Sequence, residues 1–234
     1  MTGQKILSGC TVLVTGATGG LGSAVAKGCA REGATVVLLS RTIPKLERVY
    51  DEIVAAGGPQ PAIYPLDLAG ASEKDYYDLA TTLERELGAL HGLVHCAAEL
   101  GHLVPLSNLD GELWQRLLHV NLSAPFLMTR ELLPLLIKSA PATVVFVGDS
   151  AVGAGKAYWG AYGVAKIALH GYTRILADEM ESFGLKVHLF TPGPMRTPIR
   201  RMAYPSENPD TLTPPETPAD SLLDLMSPSS TTAR

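Results

Sequence analysis

The chain has 234 residues, of which 46% are hydrophobic and 18% are charged. This length accommodates one large or two small domains, and the apolar share is sufficient for a sizeable buried core. The 23 acidic and 19 basic residues give a formal net charge of −4, so no basic excess exists to neutralise a phosphate backbone, and we expect no nucleic-acid partner.

Short apolar segments alternate along the chain with longer segments of helical periodicity. Strands are predicted at 11–15, 35–39, 62–66, 92–96, 143–147 and 186–190, and helices at 20–31, 42–56, 72–88, 110–138 and 157–182. The strands are apolar nearly throughout, as in a parallel sheet that is covered on both faces. The alternation therefore predicts one α/β domain over 1–234, a Rossmann-type doubly wound parallel sheet of order 3-2-1-4-5-6 with helices on both faces.

The composition changes after the sixth predicted strand. Residues 192–218 contain eight prolines, which interrupt helices and strand pairing. A long loop in a compact domain is often functional, so we predict a proline-rich substrate lid at 192–218. A short amphipathic piece at 220–226 follows, and the polar segment 227–234 is not expected to form another core strand.

A glycine-rich turn, Thr15-Gly16-Ala17-Thr18-Gly19-Gly20-Leu21-Gly22, leads from the first strand into the first helix. Glycines permit a tight turn and a close approach of the backbone to a pyrophosphate, and the helix N-terminus supplies N–H groups for an anion. An ordinary strand–helix turn has the same composition, but the position at the start of a βαβ unit favours dinucleotide binding.

Two side chains at the ends of the next strands bear on the choice of dinucleotide. Arg41 stands where an acidic residue would bind a ribose 2′-hydroxyl, and its charge suits a 2′-phosphate, which favours NADP over NAD. A surface arginine at a helix start is the alternative. Asp67 could accept a hydrogen bond from an adenine amino group or could equally cap the next helix.

Tyr162 and Lys166 are four residues apart in the fifth predicted helix, which places them on one helical face. A free tyrosine has a pKa near 10, too high for proton exchange at neutral pH, and a nearby ammonium in a desolvated cleft would lower it. The pattern is common by itself, and its weight comes from its position downstream of the nucleotide turn.

Together these motifs resemble the classical short-chain dehydrogenase/reductase family over nearly the whole chain, and most closely its bacterial YciK-type oxidoreductases. The matching residues are Thr15, Gly16, Gly20, Gly22, Asp67, Asn121, Tyr162, Lys166, Pro192, Gly193 and Thr197. The resemblance implies an NAD(P)-dependent oxidoreductase that transfers a hydride between NADP(H) and a small carbonyl or alcohol substrate. It also implies a homodimer or homotetramer.

The resemblance further implies a role for each site residue. Tyr162 would be the general acid/base, Lys166 would lower the pKa of Tyr162 and hold the nicotinamide ribose, and a serine would bind the reacting oxygen. Asn121 would fix a helix kink and a relay water, or would be a buried amide satisfied by the backbone. The implied cofactor-binding residues are Gly16, Thr18, Gly20, Leu21, Gly22, Arg41, Asp67, Leu68, Ala97, Lys166, Pro192, Gly193 and Thr197.

The serine position departs from the family pattern. The family serine lies thirteen residues before the tyrosine, where this chain has Asp149, and Ser150 follows it. We favour Ser150 as the catalytic serine, which requires the following loop to be one residue shorter. If Asp149 holds the site, its carboxylate would repel a developing oxyanion, and a nucleotide-binding redox sensor or scaffold without catalysis becomes the alternative.

Two further departures lie in the sheet. The family's Asn-Asn-Ala-Gly is replaced by His95-Cys96-Ala97-Ala98, and the family's seventh strand is missing, which would leave the sixth strand at an edge. His91 and His95 would be about 13 Å apart along a strand, too far to share an ion, so we predict no metal site.

The location of the protein is predicted from its cysteines and its apolar segments. Cys10, Cys29 and Cys96 are odd in number and lie in apolar runs, which is typical of reduced thiols. The longest uncharged stretch, 8–26, contains five glycines and is a poor spanning helix or signal. We therefore expect a cytoplasmic protein without a membrane segment.

Overall fold

The computed structural model describes residues 5–227, and within them six strands form one parallel sheet. The strands are β1 (Thr11–Thr15), β2 (Thr35–Ser40), β3 (Ala62–Pro65), β4 (Gly92–His95), β5 (Ala142–Val147) and β6 (Leu185–Phe190). Neighbouring strands pair in the order β3-β2-β1-β4-β5-β6. The predicted Rossmann-type sheet and its strand order are confirmed.

Helices cover both faces of this sheet. They are α1 (Gly20–Arg31), α2 (Ile43–Ala55), α3 (Glu73–Leu87), α4 (Gly111–Leu118), α5 (Ala124–Lys138), α6 (Gly160–Met180), α7 (Pro198–Ala203) and α8 (Glu216–Met226). Successive strand residues point to opposite faces, so Val12 and Val14 pack in the core under α1, α2 and α8, whereas Leu13 packs in the core under α3, α5 and α6. Both cores are mainly apolar where the strands cross them, with a few buried polar side chains such as His95 and His188.

The helix predicted at 110–138 is divided by a π-helical turn at His119–Ser123. By length and composition the continuous helical stretch Gly111–Lys138 could cross a membrane, which the sequence analysis did not anticipate. Half of its most apolar window is buried within the domain, however, and the buried residues of α5 pack against the sheet and α3. Core packing therefore accounts for its apolar composition.

The proline-rich segment 192–218 contains regular structure of its own. It includes α7, a 3₁₀ turn at Pro209–Thr211 and the first turn of α8, where Pro218 is tolerated because the first turn of a helix does not need its N–H. The backbone N–H of Arg196 donates to the carbonyl of Thr213 at 2.9 Å, which closes the segment into a loop.

The C-terminal helix is longer than the amphipathic piece predicted at 220–226 and packs on the sheet through α1. Leu222, Leu223 and Met226 are buried in the core that α1 also enters. In the described part of the chain β6 pairs only with β5, so it forms one edge of the sheet. The prediction about the polar tail beyond Ser227, and about a seventh strand there, falls outside the described residues.

Candidate active site

A cleft of about 440 Å³ opens at the carboxyl edge of the sheet, where ligands bind in open α/β folds. Its walls come from the glycine-rich turn, the ends of β2, β3, β4 and β5, the start of α6 and the segment 192–204. The predicted site residues that line it are Gly16, Thr18, Gly20, Leu21, Gly22, Arg41, Asp67, Leu68, Ala97, Ser150, Tyr162, Lys166, Pro192, Gly193 and Thr197. Asn121 alone among the predicted site residues does not line it.

The glycine-rich turn is shaped by contacts that exclude side chains. Gly16 has φ +64, and a Cβ there would lie 2.8 Å from the backbone of Ala97 on β4's continuation. A Cβ at Gly22 would overlap the carbonyl oxygen of Gly16. No side chain caps α1, so the N–H groups of its first turn face the cleft free of a protein anion. The turn is therefore built for close approach of an anionic ligand.

Exposed cations and hydroxyls surround the outer end of the cleft. Arg41 and Lys45 both line it and are exposed, and the hydroxyls of Thr18 and Ser40 are hydrogen-bonded at 2.8 Å. Sequence reasoning missed Lys45, although its place one helical turn after Arg41 is a signal that could have found it. Two cations thus line the outer end of the cleft.

Asp67 does not cap the following helix. Its Oδ1 accepts a hydrogen bond from the backbone N–H of Ala69 at 3.1 Å, and α3 is capped instead by Ser72 in a capping box with Asp75. The capping alternative for Asp67 is therefore wrong, because the helix begins farther along the chain than that alternative requires. The carboxylate is exposed at the cleft wall, and its adenine contact stays a prediction.

The phenol of Tyr162 faces a carboxylate. Its Oη donates to Oδ2 of Asp149 at 2.7 Å, while Oδ1 of Asp149 accepts from the backbone N–H of Ala151 at 2.8 Å. The favoured Ser150 instead directs its hydroxyl to the carbonyl of Pro192 at 3.3 Å. The loop is not shortened as that preference required, so Asp149 holds the position opposite the phenol.

Lys166 lies beneath the tyrosine and is buried. Its Nζ donates to the carbonyl of Val147 at 2.8 Å and is 5.7 Å from the centre of the Tyr162 ring. Burial lowers the pKa of Lys166 to about 8, while the charge of Asp149 acts in the opposite direction. The ammonium therefore sits within reach of the ring without bonding to the phenol oxygen.

The expected lowering of the Tyr162 pKa is wrong in this geometry. Burial raises the pKa of Tyr162, and the carboxylate of Asp149 raises it further by its charge and by accepting the phenol's hydrogen bond. The carboxylate is hydrogen-bonded to the phenol oxygen, whereas the ammonium of Lys166 is bonded to the carbonyl of Val147. Tyr162 is consequently held as a neutral phenol that donates a hydrogen bond to Asp149.

Asn121 acts on the backbone. Its amide nitrogen donates to the carbonyls of Glu99 and Leu117, both at 2.8 Å, and its oxygen accepts from the N–H of Glu99 at 3.1 Å. The residue is buried in the π-helical turn. The structure thus shows the backbone-satisfied amide within a π-helical turn, and the contact with a relay water stays a prediction.

The two histidines of the fourth strand region have structural partners. His91 accepts from the backbone N–H of Thr11 at 3.1 Å. His95 stacks on Phe146 with ring centres 4.9 Å apart and bonds Thr129 at 2.9 Å. Burial lowers the pKa of His95 to about 3, so its ring is neutral and supports the sheet.

Aromatic rings close the outer wall beside Tyr162. The rings of Trp159 and Tyr162 are 5.8 Å apart, and those of Trp159 and Tyr204 are 6.0 Å apart. Lys156 lies over both Trp159 and Tyr204, at 5.4 and 5.0 Å from the ring centres, and Arg200 lies 3.7 Å from that of Tyr204. Trp159, which directly precedes α6, and Tyr204, which directly follows α7, thus form a wall whose ring faces are already in contact with cations of the chain.

The family model described as short chain dehydrogenase matches residues 10–208. The chain belongs to the short-chain dehydrogenase family. It is 39% identical to the oxidoreductase YciK of Escherichia coli K12 over 217 residues, which cover 93% of this chain and 84% of that protein. The predicted family and the likeness to YciK-type oxidoreductases are confirmed, and the protein is an NAD(P)-dependent oxidoreductase.

Solved structures of short-chain dehydrogenases superpose over almost the whole chain. One from Pseudomonas syringae has a TM-score of 0.95 and 43% identity, covering 99% of this chain and 94% of that chain. Another, from Shigella flexneri 2a in complex with NADP, has a TM-score of 0.92 and 38% identity, covering 96% and 93% respectively. The cleft described above lies in the part of the fold that these short-chain dehydrogenases share.

Proposed function

We propose that this short-chain dehydrogenase transfers a hydride between NADP(H) and a small substrate, with Tyr162 as the proton donor and acceptor. The observation that carries the proposal is that Tyr162, Lys166 and the glycine-rich turn line one cleft. When bound, the dinucleotide would supply or accept the hydride at the nicotinamide ring. The chain's own residues supply the cradle, the proton and the orientation.

The cleft residues fit a dinucleotide with a 2′-phosphate. The turn excludes side chains at Gly16 and Gly22 and presents an uncapped helix N-terminus, which suits a pyrophosphate. Arg41 and Lys45 form a cationic pair at the outer end, where a 2′-phosphate would lie. The NADP complex of the related Shigella protein supports this choice over NAD.

The segment 192–218 supports the proposal as a substrate lid. A Cβ at Gly20 would lie 2.8 Å from the methyl group of Thr197, so the start of α7 rests directly on the glycine-rich turn. Arg200 pairs with Glu207 at 2.6 Å, which stiffens the segment over the cleft. The lid residues that would contact the substrate therefore sit next to the residues that would bind the dinucleotide.

Cofactor preference is tested by calorimetric titration of NADPH and NADH into the wild type and the variant Arg41→Asp. The wild type is expected to bind NADPH about tenfold or more tightly than NADH, and the variant to lose that preference, because a charge-assisted bond to phosphate becomes a repulsion. Arg48→Asp, an exposed charge reversal on α2 outside the cleft, is the control. Equal preferences in the wild type and in Arg41→Asp would contradict the role of Arg41.

Proton transfer is tested with Tyr162→Phe. Turnover of a panel of carbonyl substrates with NADPH is expected to fall by about 100-fold or more, as for loss of a general acid, while NADPH affinity stays nearly unchanged. Retained turnover would remove Tyr162 from the mechanism.

The second candidate function is a redox sensor or scaffold. It is favoured by the carboxylate of Asp149 beside the phenol, and binding of NADPH without turnover of any substrate would support it.

We further propose a cytoplasmic homodimer or homotetramer. Apolar side chains are exposed on α5 and α6, namely Phe126, Val164, Ile167 and Ile175. Exposed apolar groups clustered on adjacent helices favour association between copies. Sedimentation equilibrium measures the assembly, and a strictly monomeric protein at micromolar concentration would contradict it.

A further inference from the structure

The side chain of Asp149 is fixed at the centre of the cleft. One carboxylate oxygen accepts the phenol of Tyr162 at 2.7 Å and the other accepts the N–H of Ala151 at 2.8 Å. Two bonds from different parts of the chain set both its position and its tilt. A negative group is therefore built into the place where the reacting atom of a substrate would meet Tyr162.

The charged groups around Asp149 leave this negative charge available to a ligand. Lys166 packs beneath and directs its Nζ to the carbonyl of Val147 rather than to Asp149. Arg200 is paired in a fork to Glu207 at 2.7 and 2.6 Å. Lys156 is exposed and donates to the hydroxyl of Tyr204 at 2.7 Å. Each of these cations thus hydrogen-bonds another group, and the charge of Lys166 acts on Asp149 only through space.

The carboxylate of Asp149 beside Tyr162 disfavours reduction of a C=O bond and favours reduction of a protonated C=N bond. Hydride addition to a ketone builds negative charge on the oxygen next to Tyr162, which Asp149 would repel. Hydride addition to a protonated imine removes positive charge from a nitrogen that carries an N–H. Asp149 can accept that N–H and keep the bound nitrogen protonated, which is the form that accepts a hydride readily.

We propose that the substrate class is a small imine, bound as its iminium with the N–H donated to Asp149, and that Trp159 and Tyr204 supply the aromatic wall beside it. The inference rests on the proposed function, because the hydride comes from NADPH. A C–H bond breaks at the nicotinamide and forms at the imine carbon, and the C=N π pair becomes the nitrogen lone pair. The imine takes up one proton from water when it binds as the iminium. NADPH is then oxidised to NADP⁺ and the iminium is reduced to the neutral amine, so the hydride and the proton are both accounted for.

The aromatic wall agrees with an aryl occupant. Trp159 and Tyr204 line the cleft beside Tyr162, and their rings are 6.0 Å apart. Lys156 and Arg200 already lie against these rings at 5.4 Å and 3.7 Å, so the wall offers an aryl group an apolar contact rather than a further cation site. An aryl iminium would combine the ring contact with the carboxylate contact, which a ketone of the same shape cannot do.

The experiment compares 3,4-dihydroisoquinoline with α-tetralone, an imine and a ketone of similar shape, as NADPH-dependent substrates. The wild type is expected to show a kcat/KM for the imine about tenfold or more above that for the ketone, and Asp149→Asn to lose about tenfold on the imine alone. Asp149→Ser, which restores the family's neutral donor, is expected to favour the ketone. Asp178→Asn, an exposed charge removal near the other end of α6, is the control.

A binding measurement separates this inference from the proposed function. Calorimetric titration of 1,2,3,4-tetrahydroisoquinoline, with and without NADP⁺, is expected to show about tenfold weaker binding in Asp149→Asn than in the wild type and in Asp178→Asn. Equal amine affinity in all three proteins, or a wild-type preference for α-tetralone, overturns the imine inference. Reduction of α-tetralone with NADPH would leave the proposed function standing, whereas failure to bind NADPH overturns the proposed function itself.

Discussion

Replacing the buried Lys166 by methionine should stabilise the protein at neutral pH. Burial lowers the pKa of Lys166 to about 8 from 10.5, so between these values the unfolded chain binds one more proton at this residue than the native protein does. Stability from this group therefore rises with pH across that window. The difference of 2.5 pKa units corresponds to about 3 kcal/mol, which is the cost of the buried ammonium below pH 8.

In Lys166→Met this cost disappears, but the carbonyl of Val147 loses its donor, which costs about 1 kcal/mol or more. The net gain at pH 7 is therefore about 2 kcal/mol at most. A sharper quantity is the pH dependence of the difference in unfolding free energy between the variant and the wild type. That difference should fall by about 3 kcal/mol between pH 7 and pH 10.5, whatever the lost hydrogen bond costs.

Urea unfolding at pH 7, 8, 9, 10 and 10.5 measures the two free energies, and equal m-values would show that the denatured states are comparable. Lys45→Met, which removes an exposed lysine on α2, serves as the control. Groups that titrate in both proteins, such as the buried thiols, cancel in the difference. A difference that stays constant within about 0.5 kcal/mol over this range would refute the argument that burial lowers the pKa of Lys166.

Three other changes test the local structure. Gly22→Ala should destabilise the fold by about 1–3 kcal/mol and weaken NADPH binding, because the added Cβ would overlap the Gly16 carbonyl. Urea unfolding measures the loss of stability, and Gly111→Ala, whose Cβ would meet no atom within 4 Å, is the control. Ser72→Ala removes the α3 capping box and should cost about 1 kcal/mol, so an unchanged urea midpoint would count against the cap. Glu207→Gln weakens the fork to Arg200, and hydrogen exchange over 198–211 should speed up; unchanged protection there would show that the fork does not stiffen the segment.

The sheet was predictable because its strands are unusually clear in the sequence. All six predicted strands end within one residue of the observed ones at both ends, since each is a mostly apolar run between glycines or polar turns. The glycine-rich turn was predictable for a similar reason. Close backbone contacts at Gly16 and Gly22 leave no room for a Cβ, so these positions require glycine, and the glycines are recognisable in the sequence.

The details of the cleft depend on contacts that a linear pattern does not contain. Spacing placed Asp149 and Ser150 side by side, but which of them faces Tyr162 is set by the turn after β5 and by the Ala151 N–H. The direction of the Tyr162 pKa shift depends on which of the two residues faces the phenol. The sequence therefore predicted neither the facing residue nor the direction of the shift correctly. The four-residue spacing of Tyr162 and Lys166 was informative because it depends only on helix geometry.

The long central helix shows a different limit. Its apolar periodicity predicted one helix over 110–138, whereas the structure inserts a π-helical turn at His119–Ser123. A π turn adds one residue to a single helical turn, and this shifts the apolar stripe too little to be seen in a window of that length. The side chain of Asn121, which binds the carbonyls of Glu99 and Leu117, provides the local reason for the turn.

The segment 192–218 is anchored at both of its ends. It leaves the sheet at β6 and returns through α8, whose apolar side chains are buried against α1. Between these anchors few of its side chains enter either core, so insertions or replacements there would leave the packing of the sheet intact. In the proposed lid, substrate preference can therefore change through replacements between α7 and α8 that leave the sheet and the contact of Thr197 with the glycine-rich turn intact.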